Sequence, residues 1–319
     1  MGAAVLMGVS LGASLLGCGG DLSNQIFLED SEFLAALPSR EVFQVEYVES
    51  STTAEVEAED DVLLLQTTLG AINSADDWLE LTASITDALR DLVPAVRESN
   101  YREWGPYDYE FLDSPPIYLK VEVTRSLNGA SYTYNYRYST SASGPWIRFF
   151  VGRHFIGETI EAGDGSMEWQ LGAMGGDGTV TVDYDLRDEM KLLVTLDDAT
   201  FGSDGPFRAR WYFQRQPDGG GDLEYYAWTD FNPSEGTEQE ELMAVRTRWL
   251  ADGAGRADAM LTDGDLFEDY DAALVQCWSD TGALTAQLTD PENLVPTVGD
   301  PEIDCPFRDA AAVEHLPEY

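Results

Sequence analysis

The chain has 319 residues and a formal net charge of −41, from 59 acidic and 18 basic residues. A field of this sign repels nucleic acid and anionic head groups, which argues against nucleic-acid binding and against a membrane-surface role beyond a lipid anchor. Hydrophobic residues make up 44% of the chain and aromatic residues 11%, enough to bury a core and to exclude a disordered polyacid. The acid is spread along the chain. It indicates either a solvated surface suited to a salty medium or cation binding.

The chain begins with an uncharged apolar run, residues 1–17, that ends at a cysteine. The run is shorter than the roughly 20 residues of a membrane span and fits the apolar core of a secretory signal. Leu15, Leu16, Gly17 and Cys18 resemble the bacterial lipobox. The resemblance implies cleavage before Cys18 and lipid on its thiol. It further implies attachment to the cell envelope, which we expect to be the outer membrane, facing the periplasm or the cell surface.

One feature departs from the lipobox pattern, because no Lys or Arg precedes the apolar core. An ordinary cleaved signal, or a buried apolar helix with an unrelated cysteine, would also fit residues 1–17. If Cys18 carries lipid, Cys277 and Cys305 remain, and an oxidising compartment would let them form a disulfide. The alternative is two buried free thiols.

Residues 18–30 have the composition of a tether with an apolar patch, and residues 31–100 of a helical layer. "SEFLAALPS" predicts a short helix that Ser31 caps and Pro38 stops. "VFQVEYV" alternates and predicts a half-buried strand over 42–48.

Two helices are predicted to follow, over 55–72 and from Ser74 or Asp76 to Pro94. Each has an apolar stripe at helical spacing, which we expect to pack on a sheet. The stripes consist of Val62, Leu65, Leu69 and Ile72 in the first helix, and Trp78, Leu81, Ile85, Leu89 and Leu92 in the second.

From residue 105 onward the hydrophobic period changes to 2, as in "PIYLKVEVT" and "SYTYNYRY". Turn signals such as "SLNG", "DGGG" and "DGAG" separate about a dozen such segments, which predicts hairpins and antiparallel pairing. We therefore predict an α+β, mainly β fold. Residues 101–319 form a large antiparallel meander, as a curled sheet, half-barrel or barrel, under an N-terminal helical layer.

Motifs for catalysis, cofactors or metals are missing from the sequence: there is no GxSxG, HExxH, GxGxxG or P-loop. "TDGDLFEDYD", from Thr262 to Asp271, resembles a calcium loop but lacks the central Gly and final Glu of an EF-hand, so solvated turn acid is the better interpretation. His154 has no partner that the sequence identifies. A pair of carboxylates could serve a glycosidase, but a chain with this many acids contains such pairs by chance.

The aromatic segments are more suggestive of binding. "SYTYNYRY" places four tyrosines on one strand face, "RWYF" and "RTRWL" place aromatics beside arginine, and "EYYAW" adds three further aromatics. Such a face could bind sugar or a hydrophobic ligand, whereas the plainer interpretation is cross-strand pairing within the sheet. The candidate ligand-facing residues are Tyr132, Tyr134, Tyr136 and Tyr138.

Two resemblances add to these patterns. The lipobox, "DSEFLAALPSRE" and "RWLADGAGRADAMLTDGDL" resemble lipoproteins of myxobacteria and their relatives, which implies no particular activity. The combination of lipid anchor, helices and meander resembles lipoprotein carriers and receptors of the LolA/LolB and mycobacterial LppX types, which hold acyl chains on a curled sheet. We therefore expect a membrane-anchored, non-catalytic binding or structural module. A carrier of lipid or another hydrophobic ligand and a carboxylate-dependent hydrolase are the alternatives.

Overall fold

The structure, a computed structural model, describes residues 24–37, 62–90, 92–109, 117–174, 176–200, 207–230, 240–262, 271–291 and 294–309. Over these residues the chain forms two α-helices and one sheet of fourteen strands. The strands pair in chain order, each antiparallel to the next, and the sheet does not close. The predicted mainly β meander is therefore confirmed, as an open sheet.

Helix α1 spans Asn24–Ala35 and α2 spans Leu63–Arg90. The strands are β1 Val96–Glu98, β2 Tyr101–Tyr109, β3 Ile117–Arg125, β4 Ser131–Ser139, β5 Ile147–Ile156, β6 Gly163–Gln170, β7 Asp177–Asp185, β8 Lys191–Thr200, β9 Phe207–Arg215, β10 Gly221–Thr229, β11 Glu241–Trp249, β12 Gly255–Thr262, β13 Ala272–Trp278 and β14 Leu284–Asp290. A single 3₁₀ turn, Leu171–Met174, links β6 to β7.

Alternating side chains give the sheet one apolar face, here called the inner face, and one polar face, the outer face. In β4 the tyrosines point inward while Thr133, Asn135 and Arg137 point outward. Short turns keep this alternation in register. In the β3–β4 and β11–β12 turns the backbone enters the left-handed region at Gly129 (φ 71°) and Gly253 (φ 89°), where glycine carries no steric cost.

Helix α2 crosses the inner face and is hydrogen-bonded to strands far apart in the sheet. The Leu64 amide donates to Gln276 Oε1 of β13 at 2.7 Å, and Thr86 Oγ1 lies 2.8 Å from the Tyr136 hydroxyl of β4. These helix positions are about 33 Å apart at 1.5 Å per residue. They bridge nine strand steps, about 43 Å along a flat sheet. The sheet therefore curls around the helix.

One continuous helix replaces the two that the sequence predicts. Ser74, expected as a cap, lies inside α2 and its hydroxyl donates to the Gly70 carbonyl. The buried stripe is also different, because it consists largely of small residues that let the helix approach the sheet closely. It is formed by Leu64, Thr68, Ala71, Ile72, Ala75, Leu79, Ala83, Thr86 and Leu89.

The predicted Leu65 and Leu69 are only half-buried, whereas Ile72 and Leu89 are buried as expected. The side chains of Trp78, Leu81 and Ile85 lie outside the described residues, as do the predicted strand 42–48 and residues 55–61.

Helix α1 begins earlier than the sequence predicts, within the presumed tether 18–30. Ser31 is not its cap; the Ser31 hydroxyl lies inside the helix and donates to the Phe27 carbonyl at 2.8 Å. Phe33 at the other end of α1 is fully buried and meets the Tyr132 ring edge-on at 5.4 Å. The helix therefore belongs to the folded body, and Asn24 is the first described residue of that body.

Glycines on the inner face make room for aromatic rings on the neighbouring strand. A Cβ added at Gly152 would lie 2.0 Å from the ring of its cross-strand partner Tyr134. The same arrangement recurs at three further cross-strand pairs, in each of which an aromatic ring lies over a glycine of the neighbouring strand. The pairs are Tyr134 with Gly152, Tyr184 with Gly165, Trp249 with Gly221, and Trp278 with Gly255.

Candidate functional site

The structure describes two of the three cysteines, Cys277 and Cys305. Cys18 lies outside the described residues, so its lipid stays a prediction. Cys277 on β13 and Cys305 lie at disulfide distance, with Cα atoms 5.4 Å apart. Both are buried against Ala286 on the outer face. The predicted pair is therefore within reach of a covalent bond in the folded protein.

This pair holds the C-terminal segment, residues 298–309, against the outer face of β11–β14. Val298 forms a backbone bridge with Gln287 of β14. Arg256 of β12 donates to the carbonyls of Phe307 (3.1 Å) and Arg308 (2.9 Å). The Arg248 guanidinium of β11 stacks 4.8 Å over the Phe307 ring. The segment is thus fixed at both ends and covers one part of the polar face.

The tyrosine face of β4 belongs to the core and is not an open platform. Tyr132, Tyr134 and Tyr136 are 2%, 0% and 1% exposed, and Tyr138 is half-buried. Tyr134 and Tyr136 pack on Phe150 of β5, with ring centroids 5.9 and 4.7 Å apart. As ligand-facing residues the first three are therefore corrected to core residues. The physical reason is that α1, α2 and β5 cover them.

His154 is a buried structural histidine with both ring nitrogens in use. Nε2 donates to the Ile160 carbonyl at 2.8 Å, because a carbonyl can only accept, and Nδ1 lies 3.0 Å from the Tyr184 hydroxyl. Burial lowers the pKa of His154, and burial likewise raises the pKa of Tyr184 well above its usual range. Both groups stay neutral at physiological pH, so the ring accepts the tyrosine proton in a hydrogen bond.

An aromatic ring of "EYYAW" lies beside a basic side chain on the outer face, whereas Trp211 and Phe213 of "RWYF" are buried in the core. The Arg208 guanidinium lies 5.7 Å from the Trp228 ring centroid on neighbouring strands β9 and β10. Lys120 lies 5.2 Å from the Trp146 ring. Arg210, next along β9, is half-buried; its Nε is buried without a hydrogen bond, and no partner is found for it in the described part of the chain.

Several carboxylates of the outer face are paired with bases on the same strand or a neighbouring one. Glu122 contacts Lys120 Nζ at 2.8 Å and Arg137 Nε at 2.8 Å. Burial alone would raise the pKa of Glu122, but these two cations outweigh it, so its pKa lies below the usual value. Asp222 pairs in the same way with Arg246 at 2.8 Å. The lowered pKa keeps Glu122 ionised, which suits stabilisation and does not suit a general acid.

The described ranges contain neither a metal-binding cluster nor a membrane-spanning helix. In the described ranges, no group of three or more His, Cys, Asp and Glu side chains could hold a metal ion. Of the acidic cluster from Asp263 to Asp271, only Asp271 lies in those ranges. Neither described helix combines the length and the apolar character needed to cross a bilayer.

A charge cluster that the sequence did not reveal fixes α1 to the start of the sheet. Asp30, 7% exposed, accepts from Arg102 Nε at 2.7 Å and from Arg97 Nη2 at 2.9 Å. Arg102 also pairs with Glu29 at 3.1 Å and lies 4.6 Å over the Phe33 ring. Asp30 and Arg102 are 72 residues apart, so only the fold shows that they meet.

Comparison of the chain with known protein families, with curated proteins and with solved structures finds no match.

Proposed function

We propose that this chain is a lipid-anchored lipoprotein of the bacterial cell envelope and acts as a non-catalytic binding or structural module. The proposed anchor is lipid on Cys18, because Leu15–Cys18 fits a lipobox. Several acyl chains, at about 0.8 kcal/mol per buried methylene, would hold the protein firmly in a membrane. The proposed location is the outer membrane.

The observation that carries the non-catalytic part is the filled interior between α2 and the sheet. Side chains at the centre of the inner face, such as Val180, Val182 and Val194, are 0% exposed. A side chain beside a space that admits water would have some accessible surface. No space that admits water therefore adjoins these three side chains, which supports an interior that serves stability.

The same observation weighs against the carrier alternative. An acyl chain needs a continuous apolar cavity, and carriers of that kind leave one between sheet and helices. Here Trp169 and Phe150, at 4.8 Å between ring centroids, pack on each other in the middle of the inner face. The hydrolase alternative receives little support too, because outer-face acids such as Glu122 and Asp222 are held by cations.

A ligand of the proposed module would bind on the outer face. Arg208, which is also paired with Glu240, lies 5.7 Å from the Trp228 ring centroid, and within the described residues the neighbouring Arg210 Nε has no hydrogen-bond partner. A sugar or a hydrophobic ligand is also what the aromatic segments of the sequence suggest.

Cell fractionation tests the anchor. The wild-type protein should sediment with membranes and separate with the outer-membrane fraction, whereas Cys18→Ala should be released by breaking the cells. Retention of Cys18→Ala in the membranes would contradict the proposal. As a matched control, Cys305→Ala removes a different cysteine and should leave the protein in the membrane fraction.

A further inference from the structure

The tether between the proposed lipid and the folded body is short. Cys18 precedes Asn24, the first residue of α1, by six residues. At a maximum of about 3.6 Å per residue, this chain reaches about 22 Å. Lipid on Cys18 would thus keep the start of α1 within that distance of the bilayer surface.

Helix α1 is rigidly joined to the sheet, so the tether orients the whole body. The buried Asp30 binds Arg97 of β1 and Arg102 of β2, and Phe33 is buried under the guanidinium groups of Arg102 and Arg125. The tether therefore constrains the position of the sheet as well as that of α1.

The exposed side of α1 is mixed, with two large apolar side chains in one turn and Ser31 and Glu32 in the next. Phe27 and Leu28 are 51% and 65% exposed. Glu32, one turn further, pairs with Arg125 at 3.2 Å, and two residues beyond Arg125 the β3–β4 turn presents Leu127, 95% exposed. We call Phe27, Leu28 and Leu127 the N-terminal corner.

Charges beside this corner are balanced, although the chain as a whole carries −41. The three acids of α1, Glu29, Asp30 and Glu32, pair with Arg102, Arg97 and Arg125. Unpaired acid repels the anionic head groups of a bilayer, and paired acid does so much less.

We propose that the N-terminal corner is a membrane-facing surface whose apolar side chains enter the head-group region of the bilayer that holds Cys18. The occupant is a lipid surface, because the short tether, the exposed apolar side chains and the local charge balance coincide at one place. This inference rests on the proposed lipid anchor. It adds an orientation of the folded body on the membrane.

Environment-sensitive labelling tests the orientation. Leu28→Cys and Leu127→Cys are made in the full chain, where the Cys277–Cys305 pair and the proposed lipid leave one free thiol, and each is labelled with a nitrobenzoxadiazole probe. The lipidated proteins are reconstituted into phosphatidylcholine vesicles with or without doxyl-labelled lipid. Ile303→Cys, also on an exposed apolar side chain (70%) but in the C-terminal segment, is the matched control.

Probes at positions 28 and 127 should be blue-shifted and quenched severalfold more strongly by doxyl lipid than the probe at 303. Equal, weak quenching at all three positions would overturn the proposed orientation. A blue shift without quenching would place protein against the corner and would also overturn it. The intact mass of the same samples separates the two proposals: acyl mass with unquenched probes refutes only the orientation, whereas an unmodified Cys18 refutes the anchor and with it the orientation.

Discussion

The two faces of the sheet are stabilised by different interactions. The inner face is packed with aromatic and aliphatic side chains, and its few polar groups, such as Tyr136 and Thr247, bind hydroxyls of α2. The outer face carries ion pairs between neighbouring strands, as at Glu122 and Asp222. Many of the chain's few bases therefore neutralise acids on the outer face. The curvature of the sheet around α2 comes instead from the packing of the apolar interior.

The difference teaches where to look for function in this fold. The inner face is closed over by helices and has no free surface at its centre. The outer face and the N-terminal corner are accessible: among the described residues the Arg210 Nε of the outer face has no hydrogen-bond partner, and Phe27 and Leu28 are exposed to solvent. Breaking each face in turn should therefore have different consequences.

The largest effect is expected from a cavity in the inner face. Trp169 is 1% exposed and packs on Phe150, so Trp169→Ala should lower the free energy of unfolding by about 3–5 kcal/mol. Trp228→Ala, on the outer face, is the matched control and should cost clearly less, because the Trp228 ring is only half-buried and contacts Arg208 and Tyr226. Urea titration of both variants measures the costs. Equal costs would show that the faces do not differ as described.

Loss of the Cys277–Cys305 bond should come next. The cysteines are 28 residues apart, and closing a loop of that length is worth about 3–4 kcal/mol in the chain-entropy model. Double replacement by Ala should lower the unfolding midpoint and release the C-terminal segment from the outer face. Thiol labelling of the unreduced, denatured wild type offers a direct check, since Cys277 and Cys305 should not react. Labelling of both would refute the bond.

Filling the glycine positions under the aromatic rings should cost less. Gly152→Ala brings a methyl group to within 2.0 Å of the fully buried Tyr134 ring, and overpacking of this kind costs about 1–3 kcal/mol. Gly70→Ala is the control. Gly70 lies on the exposed side of α2, with nothing within 4 Å of the added atom, so this substitution should raise the free energy of unfolding by about 0.5–1 kcal/mol. Thermal melts distinguish the two signs. A neutral Gly152→Ala would mean that the ring can move aside.

The smallest effect concerns salt and the outer face. The Debye length falls from about 30 Å at 0.01 M to about 3 Å at 1 M, so added salt should relieve the repulsion among 59 acids more than it weakens the ion pairs. We expect the Cys18→Ala protein to melt a few degrees higher in 1 M sodium chloride. Calcium at matched ionic strength should act alike. A large stabilisation by millimolar calcium alone would instead indicate a cation site in the acidic cluster from Asp263 to Asp271.

Local patterns predicted the strands well. Every strand from β3 to β14 is marked by alternation and by turn residues, because an antiparallel meander is built from neighbours in sequence. The β1–β2 hairpin escaped prediction. Gly105 and Pro106 interrupt the alternation inside β2, where the register with β3 shifts between Trp104 and Tyr107.

The helices and the candidate sites were harder to predict, for two physical reasons. The buried stripe of α2 relies on Ala and Thr, which count little on a hydrophobicity scale but allow close packing against the curled sheet. The contacts of Asp30 with Arg102, and of Thr86 with Tyr136, join residues that only the tertiary fold brings together. A stripe of tyrosines in the sequence also does not show whether the rings meet a ligand or other core residues. In the fold they meet residues of α1, α2 and β5.

The most direct test of the account is the mass of the native protein extracted from membranes in mild detergent. We predict a mature protein that begins at Cys18 and carries a diacylglyceryl group and an acyl chain there, and no hydrophobic molecule released on unfolding, because the inner face is filled. A chain that begins at another residue without acyl mass would contradict the anchor. A lipid that is set free only on unfolding would contradict the filled interior and would make the protein a carrier.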